Sequence, residues 1–248
     1  MSKNKPKLFS RLKKYILEFL MLFLAVFLGF FADNYREGLL EKSKERKYIT
    51  SLIKDVEADK RDLIKVIKNN TFRKSYLDSL SLYCFAFDRE GIATKKLYSF
   101  YPIVLQRPDF FIPNDLTMIQ LKNAGGMRLI NNQSVVEEIL EYDLQKALIR
   151  NQQEYYENYQ NKAISSGLKI FNYKKTREVV NLRKSNDTGR LRKMSYTFLE
   201  NGDELIPQFG NEVAMYRGVV DYYNMLLTAS KDQADSLIIH LKSAYEIK

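Results

Sequence analysis

The sequence predicts an all-α protein: an N-terminal transmembrane helix that continues into a long stalk helix, followed by a helical-bundle body. Three observations predict it. The stretch "YILEFLMLFLAVFLGFF", Tyr15 to Phe31, is almost wholly apolar and is interrupted only by Glu18. Ten Gly and five Pro in 248 residues leave few places where regular structure must break. Downstream, apolar residues recur at three- and four-residue steps, which is the helical period.

The elements follow in order. Residues 1–14 form a basic N-terminal segment with Lys3, Lys5, Lys7, Arg11, Lys13 and Lys14 and no acid. Residues 15–32 form the expected membrane span, roughly 27 Å long at 1.5 Å per residue, close to the thickness of a bilayer's hydrocarbon core. A soluble helix of that length would carry a polar stripe, and after Glu18 this one carries none. A cleaved signal peptide would share the basic front, but the exit "LGFFADN" sets Phe30 and Phe31 beside Ala32, where a cleavage site needs small residues. An uncleaved anchor marked by Tyr15, Glu18 and Phe31 is therefore expected. Glu18 falls in the first turn of the span, within reach of the headgroups and of Lys14 one turn earlier. A proton relay would need a second ionisable group deeper in the span, and none follows. Six basic residues ahead of the span outweigh five behind it (Arg36, Lys42, Lys44, Arg46, Lys47), which orients the amino terminus to the cytoplasm and the body away from it.

Residues 33–87 read as a stalk helix, with no proline and only Gly38 before Asp78. Ile49, Leu52, Ile53, Val56, Leu63 and Ile67 make its apolar stripe. The seven-residue spacing of Ile49, Val56 and Leu63 is a short coiled-coil pattern, marred by Asp59 and Lys60. "SLSLYCFAF" is expected to end this element or to begin another. Residues 88–113 read as a proline-containing loop region, because Pro102, Pro108 and Pro113 forbid a continuous helix.

Residues 114–248 form the helical body. Asn114 or Asp115 is expected to cap a helix "LTMIQLKNA" that Gly125 and Gly126 terminate. Ser134 and Glu137 fit the capping box of the next helix, with Val136, Leu140, Leu144, Leu148, Tyr155, Tyr159 and Ala163 as its buried stripe and Gly167 as its end. A loop with a small hairpin at Asn201 and Gly202 precedes a last helical region, Asn211 to Ala244, with a break allowed near Ser230.

Catalytic and metal chemistry find little support in the residues. Cys84 is the only cysteine and His240 the only histidine, so no Cys/His metal set exists. Cys84 sits among aromatic residues and reads as a buried apolar group, and His240 as a helix-surface or partly buried residue. Asp55, Asp59 and Asp62 share a helix face, but the interleaved lysines make it a solvated face. "NAGGMR" lacks the spacing of a phosphate-binding loop. No cofactor is expected. The net charge of +10 raises nucleic acid as a partner, yet 40 basic and 30 acidic residues are interspersed, which points instead to a solvated surface and to no nucleic acid. Tyr155, Tyr156 and Tyr159, with Tyr216, Tyr222 and Tyr223, sit at helical spacing. Core packing is the default for them, and Tyr155, Tyr159 and Tyr222 are the candidates for partner binding.

Two stretches resemble a known family. "FLGFFADNYREGLLEKSKERKYITSLIKDVEAD" and "NDLTMIQLKNAGGMRLINNQSVVEEILEYD", about 60 residues together, resemble an uncharacterised family of single-pass membrane proteins abundant in Bacteroidota, a domain of unknown function. The resemblance implies a helical extramembrane body on the inner membrane of a Gram-negative cell, hence a periplasmic body, and implies no activity. The expected function is that of a membrane-anchored, non-enzymatic interaction or scaffold protein. Its partners would be the lipid bilayer and an envelope protein or its own copies. The alternative is a sensor-like helical module that binds a small ligand. With 14 residues ahead of the span in this sequence, such a sensor would have to signal through a partner.

Overall fold

Helix α1 runs unbroken from Lys5 to Phe85 and sets the axis of the molecule. The structure, a computed structural model, describes residues 5–87, 92–123 and 125–247, with side chains from Leu12 onward except that of Ile92. Part of the basic N-terminal segment and the start of the proline region (88–91) lie outside the described residues. Pro6 falls in the first turn of α1, where its missing N–H costs nothing. Anchor and stalk are therefore one helix, as expected, and it ends inside "SLSLYCFAF".

Among the described residues seven further α-helices follow: α2 (Ile92–Phe100), α3 (Pro102–Leu105), α4 (Leu116–Asn123), α5 (Gln133–Ile170), α6 (Tyr173–Lys184), α7 (Thr188–Lys193) and α8 (Ile206–Ala244). The described residues contain no strand, only an isolated bridge between Phe171 and Phe198. The frame is a bundle of three long helices. α8 packs antiparallel to α1, in a register read from Lys242–Glu57 at 2.8 Å, Lys74–Asp221 at 2.7 Å and Arg217–Asp78 at 2.7 Å. The C-terminal end of α8 returns to the side of the body nearer the apolar part of α1, where Arg46 Nη1 donates to the Tyr245 carbonyl at 2.9 Å. α5 runs parallel to α1: the Tyr142 hydroxyl donates to Asp59 Oδ2 and the Tyr156 hydroxyl to Asn70 Oδ1.

The stalk stripe is spent inside the chain. Ile49, Leu52, Ile53 and Val56 are buried in one cluster with Met118, Ile139, Leu237 and Leu241. Leu63 and Val66 join the second, distal cluster around Tyr98, Tyr101, Phe171 and Phe209. The seven-residue spacing thus serves the body's own core, and α4, α5 and α8 cover it.

Several local expectations are corrected. The proline region holds α2 and α3; Pro102 opens α3, where its fixed φ suits a first turn. α4 starts after Asp115, whose carbonyl accepts from the Ile119 N–H, and its first turn is tied to α1 as well: Asp55 accepts from the Thr117 N–H, and Asn114 donates to Asp59. The glycine turn is present, with Gly125 at φ +65° and a short 3-10 turn behind it. Asn132, two residues before Ser134, caps α5 by accepting from the N–H groups of Ser134 and Val135. The helix passes through Gly167, whose missing side chain makes room for the Tyr101 ring. No hairpin forms at Asn201; Phe198 bridges back to Phe171 instead, and the stretch expected to be loop contains α7. α8 is unbroken, with Ser230 wholly buried within it.

Candidate functional site

The most exceptional surface is the first part of α1. From Leu12 to Phe31 every residue is exposed, and the large apolar side chains stand 44–69 % open. Phe19, Phe23 and Phe27 stack on one another at four-residue steps, with ring centroids 6.4 and 6.1 Å apart. Tyr15 and Phe31 bracket the stretch, and Lys14 Nζ lies 3.9 Å from Glu18 Oε1. This helix is long and apolar enough to cross a membrane. A connector of exposed helix, residues 32–44, separates it from the body.

The interior holds a polar network that the sequence reading missed. Arg73, 5 % exposed, donates to the carbonyls of Ile103 (2.9 Å), Gln106 (3.1 Å) and Arg107 (2.9 Å). Gln160 donates to the carbonyls of Val104 and Gln106, and Gln153 to that of Phe111. The Tyr223 hydroxyl accepts from the Phe111 N–H. Past α3, Pro108 and Pro113 keep residues 106–115 out of regular structure, and side chains supply donors to carbonyls there that have no helix or ladder partner. Only a polar residue at an otherwise apolar helix face could have signalled this. The arrangement fixes a backbone segment and offers no group free to act on a substrate.

The acidic face is corrected at one position. Asp62 is exposed, but Asp59 is wholly buried and accepts from the Asn114 N–H, the Asn114 amide and the Tyr142 hydroxyl. Burial pushes its carboxyl above the usual range, against those donors. The three aspartates do not converge. Cys84 is buried against Gly210, and burial pushes its thiol up to about 12. His240 is partly buried, its Nδ1 2.8 Å from Glu138 Oε1.

The tyrosines divide. Tyr156, Tyr216 and Tyr223 are buried and meet edge to face, at 5.4 and 5.5 Å from Tyr156. Of the partner candidates, Tyr155 and Tyr222 are exposed, and Tyr159 is partly buried with the Lys162 ammonium 4.7 Å from its ring. No ring contact joins these three among the described residues. Ala163 of the expected stripe is buried, but from Val135 to Tyr156 α5 turns a different face inward from the one expected. Val135, Ile139, Tyr142, Lys146, Ile149 and Tyr156 are buried, whereas Leu140, Leu144, Leu148 and Tyr155 form an exposed apolar stripe on the opposite side. Lys146 can enter the core because Asp115 pairs with it.

Comparison with protein families, with curated proteins and with solved structures finds no match to this chain.

Proposed function

We propose that this chain is a membrane-anchored, non-enzymatic interaction or scaffold protein of the cell envelope, its amino terminus in the cytoplasm and its helical body in the periplasm. The observation that carries this reading is α1 itself. One helix is a bare apolar rod over its first part and the spine of a packed body over its second. In water that rod would leave a large apolar surface uncovered, and a bilayer is the medium that covers it. The resemblance to single-pass inner-membrane proteins agrees with this location. The stripe Leu140, Leu144 and Leu148, with Tyr155, is the surface offered to a protein partner or a second copy. The sensor-like alternative needs an interior site, and the rings of Tyr156, Tyr216 and Tyr223 occupy that axis.

Two experiments test the reading. A reporter active only in the periplasm, fused after Lys248, should be active; activity from a cytoplasmic reporter alone contradicts the orientation. A stoichiometric partner purified with the chain in mild detergent should be lost from the Leu144→Lys, Leu148→Lys variant while the body stays folded. Retention of that partner contradicts the assigned surface.

A further inference from the structure

The net charge of +10 is concentrated at the two ends of the molecule. Residues 1–14 carry six basic residues, and residues 169–193 carry nine against Glu178 and Asp187 alone. The rest of the chain holds 25 basic and 28 acidic residues. The second concentration is a structural unit: α6 and α7 cap the far end of the bundle. Arg183 donates to the Ser99 carbonyl at 2.6 Å, Lys175 to Thr197 Oγ1 at 2.7 Å, and the Asn172 N–H to the Tyr98 hydroxyl at 2.9 Å. At 1.5 Å per residue, the end of α1 lies about 80 Å from Ala32. On the membrane-anchored reading, the headgroups of the protein's own bilayer are many Debye lengths away from this cap.

Its free cations line usable ground. Lys174, Arg177 and Lys184 are exposed and have no carboxylate partner among the described residues. Shallow clefts of about 630 and 460 Å³ flank α6. Tyr173, Arg177 and Asn181 line both, and Tyr173 is 51 % exposed. Arg190, 3.6 Å from Glu178, borders the larger cleft.

We infer that this cap is a docking surface for an acidic polysaccharide, a chain of sugar rings bearing carboxylates. Guanidinium and ammonium groups pair with the carboxylates. The half-open tyrosine ring offers an apolar face with a polar tip to a sugar ring, and the Asn181 amide offers both a donor and an acceptor to hydroxyls. Two clefts joined across one ridge suit an extended chain better than a single ion. A nucleic acid would call for several stacking rings along the basic groove, and the clefts hold only Tyr173. An anionic membrane would call for exposed large apolar residues among the cations. On α6, Val179 and Leu182 are buried and Val180 is partly so.

The test uses the full chain in nanodiscs of phosphatidylcholine, whose lipid carries no net charge, with polygalacturonate as probe. Binding should weaken as salt rises, and neutral dextran should not bind. The Lys174→Glu, Arg177→Glu, Lys184→Glu variant should lose about tenfold or more in affinity with unchanged thermal unfolding. The same charge change at exposed α1 positions, Arg61→Glu, Lys65→Glu, Lys68→Glu, should alter it less than about twofold. Tyr173→Ala should weaken polygalacturonate about fivefold and leave polyphosphate unchanged. The inference is overturned if the α6 variant binds like the parent, if the α1 variant loses as much, or if Tyr173→Ala has no effect on the polysaccharide. Tighter binding of single-stranded oligothymidylate would overturn it too, reassigning the surface to nucleic acid. Co-elution with lipid reads the anchor independently, so its failure and that of the docking surface are told apart.

Discussion

Arg73 Nη1 lies 2.9 Å from the carbonyl oxygen of Ile103, thirty residues along the chain and inside the core. Together with the bonds to Gln106 and Arg107, it ties the proline segment to the stalk helix. Arg73→Met should keep the packed volume but leave the Arg107 carbonyl without its donor. It should also weaken the pairing of the Ile103 and Gln106 carbonyls, which keep the Gln106 N–H and the Gln160 amide, at a total cost of about 2 kcal/mol. Urea unfolding reads the loss, and faster proteolysis between 101 and 115 should accompany it. A variant as stable as the parent would mean that water satisfies those carbonyls.

Two glycines should respond to alanine with opposite signs. A Cβ on Gly167 would stand 2.4 Å from the Tyr101 ring, which is itself wholly buried. Gly167→Ala should therefore destabilise by about 2 kcal/mol. Gly218, in exposed helix of α8, has nothing within 4 Å of such an atom, so Gly218→Ala should stabilise by about 0.5–1 kcal/mol. Thermal unfolding of the pair checks both signs.

Val56 and Leu144 distinguish the buried stripe from the exposed one. Val56 is 1 % exposed in the cluster with Ile139 and Leu237. Val56→Asp puts an unpaired charge there and should cost several kcal/mol, of the order that unfolds a marginal domain. Leu144 is 63 % exposed, and Leu144→Lys should change stability by less than about 0.5 kcal/mol. Circular dichroism melts decide. A folded Val56→Asp protein that had merely lost an oligomer would show that the stripe packs between chains.

Acid should weaken the α1–α8 seam through Asp221. Lys74 and Arg217 hold its carboxyl below the usual range, so the unfolded chain binds its proton more readily than the folded one. The stability it contributes is present above the unfolded value, roughly pH 3.9, and is lost as pH falls through the lower folded value. Asp221→Asn should flatten the fall in stability between about pH 5 and pH 3. Asp59 works in the opposite sense: burial raises its pKa, so its contribution fades as pH rises through the raised value. An unchanged acid limb in the Asp221 variant would place the acid sensitivity elsewhere.

The all-α class, the continuous first helix, and α4, α5 and α8 were legible because periodicity, glycine scarcity and an apolar run are local signals, whereas the short helices α2, α3, α6 and α7 were not. The face of α5 was not. Val136, Leu140, Leu144 and Leu148 form as good a stripe as Val135, Ile139, Tyr142 and Ile149, and the second also holds Lys146 and Gln160, residue types that are mostly exposed. Those two are buried because Asp115 and the Val104 carbonyl, distant in sequence, receive them. Asp59 was misread for the same reason, its partners being Asn114 and Tyr142. The α6 cap was hidden by counting charge over the whole chain rather than by segment.

The central claim is that α1 is an anchor and a spine in one helix. The direct measurement is membrane partition of the full chain beside a chain of residues 33–248, after alkaline extraction. The account predicts that the full chain stays with the lipid, and that the shortened chain is soluble, helical and unfolds at a similar temperature. A full chain released by extraction, or a shortened chain that fails to fold, would contradict it.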